Sequence, residues 1–104
     1  MATENATVRI TRKSSRDIGF RSLELFIDEE YVTDIPFEGV HTVELPAGPH
    51  TFKASNRLYK RSLDLTLRAG ETVEISVGNI LQGAMTILTS VFGTGPYKVF
   101  IERV

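Results

Sequence analysis

The chain has 104 residues, of which 41% are hydrophobic and 24% are charged, and its formal net charge is −1. This length suits one domain with a modest core, so we expect a single domain over residues 1–104. The balanced charge argues against nucleic-acid binding driven by bulk charge. Because the chain has no cysteine, disulfides, thiolate metal sites and thiol nucleophiles are excluded.

The beginning of the chain, "MATENATVRI", has no basic stretch followed by an apolar one. A secretory signal peptide requires both features in that order. We therefore expect a cytoplasmic protein.

Short stretches in which apolar and polar residues alternate follow one another along the chain. In order they are "TVRIT" (7–11), "SLELFID" (22–28), "YVTDI" (31–35), "HTVEL" (41–45), "HTFKA" (50–54), "SLDLTL" (62–67), "TVEISV" (72–77) and "YKVFIERV" (97–104). Alternation with a period of two predicts half-buried strands. Turn residues such as Pro46, Gly48 and Gly70 separate several of them, and we expect Gly48 to have a positive φ.

These patterns predict an all-β fold, an antiparallel β-sandwich of about seven to eight short strands. One face of each strand should point inward. The predicted core comprises Val8, Ile10, Leu23, Leu25, Ile27, Val43, Leu45, Phe52, Leu63, Leu65, Leu67, Val73, Ile75, Val99 and Ile101.

The stretch "VELPAGPHTFKA", within residues 22–77, resembles the small β-sandwich modules called PEGA-like domains. More distantly, it is similar to the carboxypeptidase regulatory-like (prealbumin-like) modules. The chain has Glu29 where a glycine would follow Asp28 in the family's turn, and "NRLYKR" replaces the Gly-Tyr step expected after "HTFKA". The resemblance implies a bacterial-type, non-catalytic module that serves as a spacer, accessory domain or interaction domain.

Residues 75–97 contain no charged side chain over 23 positions. We expect a short apolar segment near residues 79–92 that is helical or irregular, because its apolar residues follow helical spacing. It could cover the core, form a contact surface for a second copy or a partner, or touch lipid. The candidate interaction surface comprises Ile80, Leu81, Met85, Ile87, Leu88, Val91 and Phe92.

Charge is unevenly distributed along the chain. Residues 22–52 contain seven acids and no Lys or Arg, whereas basic residues cluster in "RITRKSSR" (9–16) and "NRLYKR" (56–61). Such a distribution suits either a surface that docks a charged partner or solvated strand faces that discourage aggregation. Neither basic stretch contains a nucleic-acid-binding motif, so no nucleic-acid partner is expected.

Catalytic and metal-binding patterns are absent from the sequence. His41 and Glu44 would point to opposite faces of one strand, and the spacing of His41 and His50 does not impose a metal site. Gly93 and Gly95 lack the residues of a phosphate-binding loop. We therefore predict no catalytic, cofactor-binding or metal-binding residues and no enzymatic activity.

The leading hypothesis is a non-enzymatic structural or protein-interaction module that associates with itself through residues 78–93. A protein partner or a second copy is expected, and membrane contact is the less favoured alternative. The runner-up is a module that binds a small ligand or carbohydrate on an aromatic surface. Its candidate aromatic residues are Phe20, Phe26, Tyr31, Phe37, Tyr59, Phe92, Tyr97 and Phe100.

Overall fold

The computed structural model describes residues 4–17, 19, 22–57, 59–81 and 97–104, with the backbone alone described for Leu81, Tyr97 and Lys98. These residues form eight strands. They are β1 (Asn5–Thr11), β2 (Leu23–Ile27), β3 (Glu30–Ile35), β4 (Val40–Pro46), β5 (Gly48–Ser55), β6 (Lys60–Leu67), β7 (Thr72–Leu81) and β8 (Tyr97–Arg103). Each stretch with a period of two is a strand, so the predicted all-β fold is confirmed.

The strands form two four-stranded sheets that pack face to face as a sandwich. Sheet I has the order β4-β1-β7-β8, and sheet II has the order β3-β2-β5-β6. Sheet II is antiparallel throughout, whereas sheet I contains one parallel pair, β1 with β7. The β3–β4 and β4–β5 connections carry the chain from sheet II to sheet I and back.

The core lies between the two sheets and follows the alternation of the strands. Ten of the predicted core residues are buried there, together with four more apolar residues. The buried cluster is Ala6, Val8, Ile10, Leu23, Leu25, Ile27, Ile35, Phe52, Ala54, Leu67, Val73, Ile75, Val77 and Val99. The other five predicted residues, Val43, Leu45, Leu63, Leu65 and Ile101, are only partly buried. They lie on β4, β6 and β8, the outer strands of the described sheets, where one flank of each side chain meets solvent.

The helical or irregular segment predicted from residue 79 is wrong for its first three residues. β7 continues as a strand to Leu81, and Asn79, Ile80 and Leu81 pair with the beginning of β8. Alternation continues through this extension, because the fully buried Asn79 follows Val77 on the core-facing side, whereas Gly78 lies on the opposite face beneath Phe100 and Asp17. The remainder of the predicted segment lies outside the described residues.

Two turns contain residues with positive φ. The sequence predicted this conformation in the first turn and not in the second. Gly48, between β4 and β5, has a φ of 130°, which confirms the predicted positive φ. In the β2–β3 turn both Asp28 and Glu29 have positive φ, at 50° and 72°. A turn with two positive φ values matches the twist of a two-residue hairpin, but it strains a side chain such as that of Glu29.

Candidate functional site

Among the residues that the structure describes, five large hydrophobic residues are exposed, and four of them lie within one stretch of ten residues. Tyr31 is 55% exposed, Val32 37%, Phe37 49% and Val40 41%; the fifth residue is Val104 near the end of the chain. Tyr31 and Val32 lie on β3, Phe37 lies in the following turn, and Val40 begins β4. We call these four residues the β3–β4 surface. They share the border that β3 and β4 form, with Tyr31 on the outer face of sheet II and Val40, opposite Thr11, on the outer face of sheet I. Exposed apolar residues concentrated in one region mark contact surfaces more often than singly scattered ones.

The β3–β4 surface lies at an open border of the sandwich. Among the described strands, β3 is hydrogen-bonded only to β2, and β4 only to β1. At the opposite border, β6 and β8 lie close to one another across the two sheets. Within the described strands, the outer backbone edge of β3 thus has no strand partner.

Acidic side chains surround β3. Glu29, Glu30 and Glu38 take part in no ion pair among the described residues, and the carboxylate of Asp34 accepts there only from a tyrosine hydroxyl. The predicted acidic territory is thus present on one border of the sandwich.

Tyr31 is held in place on the outer face of sheet II. Its ring packs edge-on against Phe26 with 5.7 Å between the ring centroids. Its hydroxyl donates to Oδ1 of Asp34 over 2.9 Å, and this bond to a carboxylate raises the pKa of Tyr31. On β5, the Lys53 ammonium lies 4.3 Å from the centroid of Phe26 and covers that ring. These contacts hold the Tyr31 ring in one orientation on the outer face of sheet II.

A depression of about 340 Å³ lies beside the final residues of β3, on the outer face of sheet II. It is lined by Ser22, Glu24, Asp34 and Arg57. The Arg57 guanidinium lies 3.5 Å from the Glu24 carboxylate. Among the described residues, the guanidinium pairs with Glu24 and no cation is bonded to the Asp34 carboxylate, so the depression can accept another cation next to Asp34.

The end of β3 is anchored by a buried ion pair. Nη1 of Arg12 donates to the carbonyl oxygen of Ile35 over 3.0 Å. The same guanidinium donates twice to the Asp17 carboxylate, from Nε over 2.8 Å and from Nη2 over 3.0 Å. Both charged side chains are fully buried. This geometry is the bidentate arrangement that makes an Arg–carboxylate pair strong.

Both carboxylate oxygens of Asp17 accept hydrogen bonds. Its Oδ1 also accepts from the backbone N–H of Gly19 and of Asn79. Burial alone would raise the pKa of Asp17, but the bonds from Arg12 and from these two N–H groups outweigh it and lower that pKa. The carboxylate therefore stays ionised inside the fold and joins the loop after β1 to β7.

The buried polar network continues across the sandwich through two asparagines. Nδ2 of Asn56 donates to Oδ1 of Asn79 over 2.9 Å, and Oδ1 of Asn56 accepts from the backbone N–H of Tyr59. Both asparagine side chains are fully buried. Asn79 joins the two parts of the network, because its backbone N–H donates to Asp17 and its side-chain oxygen accepts from Asn56. The network thereby links sheet I to the loop after β5.

The other end of β3 is fixed by a clamp between two turns. Nδ1 of His50 lies 2.6 Å from Oδ2 of Asp28, and Nε2 lies 2.7 Å from the carbonyl oxygen of Pro46. Oδ1 of Asp28 accepts from the backbone N–H of Thr51. The clamp thereby ties the β2–β3 turn to the β4–β5 turn.

The clamp favours a charged pair. Partial burial would lower the pKa of His50, but the Asp28 carboxylate and the Pro46 carbonyl oxygen outweigh it and raise that pKa. The N–H of Thr51, and then His50, lower the pKa of Asp28. The two partners of the His50 ring, the Asp28 carboxylate and the Pro46 carbonyl oxygen, are both hydrogen-bond acceptors. The doubly protonated imidazolium can donate to each of them.

This Asp–His pair does not have the geometry of a general base. A catalytic histidine needs one ring nitrogen open to the substrate, whereas Nε2 of His50 is bonded to Pro46. His41 lies on β4 in sheet I and His50 on β5 in sheet II, so the fold does not bring them together. Within the described ranges, no group of three or more acidic or histidine side chains is placed to hold a metal ion.

The sequence-predicted interaction surface is described only in part. Ile80 and Leu81 end β7, and Ile80 is half-buried. Met85, Ile87, Leu88, Val91 and Phe92 lie outside the described residues. In the part of the chain that the structure describes, no helix has the length and apolarity that a membrane crossing needs.

The β3–β4 surface could not be predicted from the amino-acid sequence. The alternation of apolar and polar residues assigns Val32 and Val40 to strands. It does not show which strands lie at the edge of a sheet. The available signal was the coincidence of Tyr31 and Phe37 with the acidic stretch.

Comparisons with protein-family models, with curated proteins and with solved structures found no match. The resemblance to PEGA-like and prealbumin-like modules therefore stays a prediction.

Proposed function

We propose that the protein is a non-enzymatic interaction module that docks a protein partner on the β3–β4 surface. The observation that carries this proposal is the concentration of Tyr31, Val32, Phe37 and Val40 at one open border of the sandwich. Burying apolar surface stabilises a complex by about 25 cal/mol per Å² before the costs of association. Side chains that are already fixed, such as Tyr31, reduce those costs.

A small-ligand or carbohydrate module is supported less well. A sugar platform needs open aromatic faces, and the Lys53 ammonium covers Phe26. The depression beside Asp34 is lined by polar and charged residues rather than by the apolar walls typical of ligand pockets. We therefore propose an interaction module with a cytoplasmic location. We further propose that residues 78–93 form a second contact surface, through which two copies of the chain associate.

Photocrosslinking tests the proposed docking surface. A photoreactive amino acid in place of Val32 should form a covalent complex of discrete mass, whose partner is then identified and purified. The complex is reconstituted, and its affinity is measured for the unmodified protein and for the double variant Val32→Ser/Val40→Ser. We expect binding at least about tenfold weaker in the double variant, as for loss of a contact worth about 1.4 kcal/mol.

The matched control is Val104→Ser, which makes the same chemical change at a residue that is 74% exposed and distant in sequence from the β3–β4 surface. This variant should bind like the unmodified protein. Equal affinity of the double variant and the unmodified protein would show that the docking surface lies elsewhere.

A further inference from the structure

We infer that β3 accepts an extended, basic peptide segment of the partner protein as an additional strand of sheet II. This inference rests on the proposed function and names the chemistry of the partner. Extended peptides commonly bind in this way, because the backbone of an open strand supplies affinity and its side chains supply specificity.

The backbone of β3 is the better of the two open candidates at this border. β4 ends in Pro46, which has no N–H to donate, and the N–H of Ala47 already bonds to the Glu4 carbonyl oxygen. β3 extends over six residues without a proline. On the opposite border, β6 lies against β8 and is less accessible.

β3 is rigid at both ends, which favours strand addition. The guanidinium of Arg12 holds the carbonyl oxygen of Ile35, and the clamp between Asp28 and His50 fixes the turn before Glu30. A docking strand whose geometry is set in advance loses less conformational entropy when it binds. The anchors are therefore positioned where a strand-accepting border requires them.

The charge around β3 selects a basic segment. Glu29, Glu30 and Glu38 form no ion pair within the described part of the chain, and Asp34 has no cation bonded to it there. Residues 22–52 contain no Lys or Arg that could neutralise them from within this stretch. A Lys or Arg of the added strand would reach Asp34 in the depression, where Arg57 already pairs with Glu24.

The same acids disfavour pairing of β3 with β3 of a second copy, because like charges would meet directly across the new strand pair. The occupant is therefore a different, basic segment rather than a second copy of β3.

The probe is a fluorescent peptide of six residues, the length of β3, in which Lys alternates with Val. Saturable binding is expected by fluorescence anisotropy, together with slower amide hydrogen exchange in residues 31–34. A peptide of equal charge with a central Pro should bind at least about tenfold more weakly, since it cannot form the ladder. Equal binding of the two peptides would mean that charge alone attracts them, and strand addition would be wrong.

The protein variant that tests the charge is Glu30→Gln/Asp34→Asn, which removes both acids of β3 while keeping their size. We expect at least about a tenfold loss of affinity for the Lys–Val peptide. The matched control, Glu44→Gln on β4, should change the affinity less than about twofold. Thermal unfolding of each variant establishes that it is folded.

Failure of this inference can be separated from failure of the proposed function. If the Lys–Val peptide does not bind while Val32→Ser/Val40→Ser weakens the reconstituted partner complex, a partner docks on the β3–β4 surface without adding a basic strand. If the peptide binds equally to the unmodified protein and to Glu30→Gln/Asp34→Asn, the acids of β3 do not select it and the inference is overturned.

Discussion

The burial of Arg12 could not be predicted from the residues around it. It lies in the basic stretch "RITRKSSR", which the sequence predicts to be part of a basic surface territory. In the fold, Arg12 is fully buried and bonded to Asp17 and to the carbonyl oxygen of Ile35. No local pattern identifies this burial, because Asp17 is polar, lies in a loop and acts through a contact that only the tertiary fold creates.

Removing the guanidinium should be costly. Arg12→Met leaves the Asp17 carboxylate buried without its cation, and such a change costs about 3–5 kcal/mol in other proteins. Denaturant unfolding measures the loss. The neighbouring exposed residue gives the control Lys13→Met, which should change stability by less than about 0.5 kcal/mol. A loss below about 1 kcal/mol for Arg12→Met would show that the pair does not hold the loop to β3.

His50 should make stability depend on pH in a predictable direction. Its pKa is raised above the ordinary value of 6.5, so its contribution is complete below that pH and is lost as the pH rises through the folded-state value. The pKa of Asp28 is lowered from 3.8, so its contribution is present above that pH and is lost as the pH falls through the folded-state value. The clamp is therefore strongest between those two ordinary values.

The variant His50→Gln should lose more stability near about pH 5.5 than near about pH 8.5, because the imidazolium is the stabilising form. The difference should be modest, about 1 kcal/mol or less, since Asp28 is half exposed. Urea unfolding at both pH values measures it. Asp28→Asn should reduce the same pH dependence, and an equal effect of His50→Gln at both values would refute the clamp.

At the scale of the element, the positions of the strands could be predicted from the sequence. The pairing of the strands within each sheet could not. Alternation in "TVRIT" and "TVEISV" locates β1 and β7, but nothing local indicates that these strands pair in parallel. Pairing depends on contacts distant in sequence, and it also decides which strands are outermost. For this reason, the predicted core included Leu63 and Leu65 of β6, which are only partly buried.

The position of a strand within its sheet should decide the cost of truncating its side chains. Ile75 lies on β7, between β1 and β8, and has no exposed surface, so Ile75→Ala should cost about 2–5 kcal/mol. Leu65→Ala on β6 should cost less, because part of that side chain already meets solvent. Thermal or denaturant unfolding of the two variants gives the comparison, and a larger loss for Leu65→Ala would mean that the assigned order of strands is wrong.

At the scale of the whole molecule, the sequence predicted the acidic territory but not what it surrounds. The fold places the acids of β3 and its flanking turns beside Tyr31 and Val32 at one border, while β6 and β8 close the other. Which apolar residues remain exposed follows from the strand order, and that order is not visible in local periodicity. The candidate docking surface therefore emerged only from the folded molecule.

The uncharged stretch from residue 75 to residue 97 supports a separate prediction about self-association. Its apolar residues after β7 include Met85, Ile87 and Leu88, and a monomer of this size rarely leaves several hundred Å² of contiguous apolar surface exposed. We therefore expect the sedimentation coefficient of the unmodified protein to rise with concentration.

The variant Leu88→Glu should remain folded and sediment as a monomer at all concentrations, because a carboxylate is costly to bury in a contact between copies. Val32→Ser/Val40→Ser is the matched comparison, and it should associate like the unmodified protein since it alters a different surface. Sedimentation velocity and thermal unfolding together distinguish the outcomes. If Leu88→Glu unfolds, the side chain belongs to the core of one chain; if the unmodified protein is monomeric at high concentration, residues 78–93 do not join two copies.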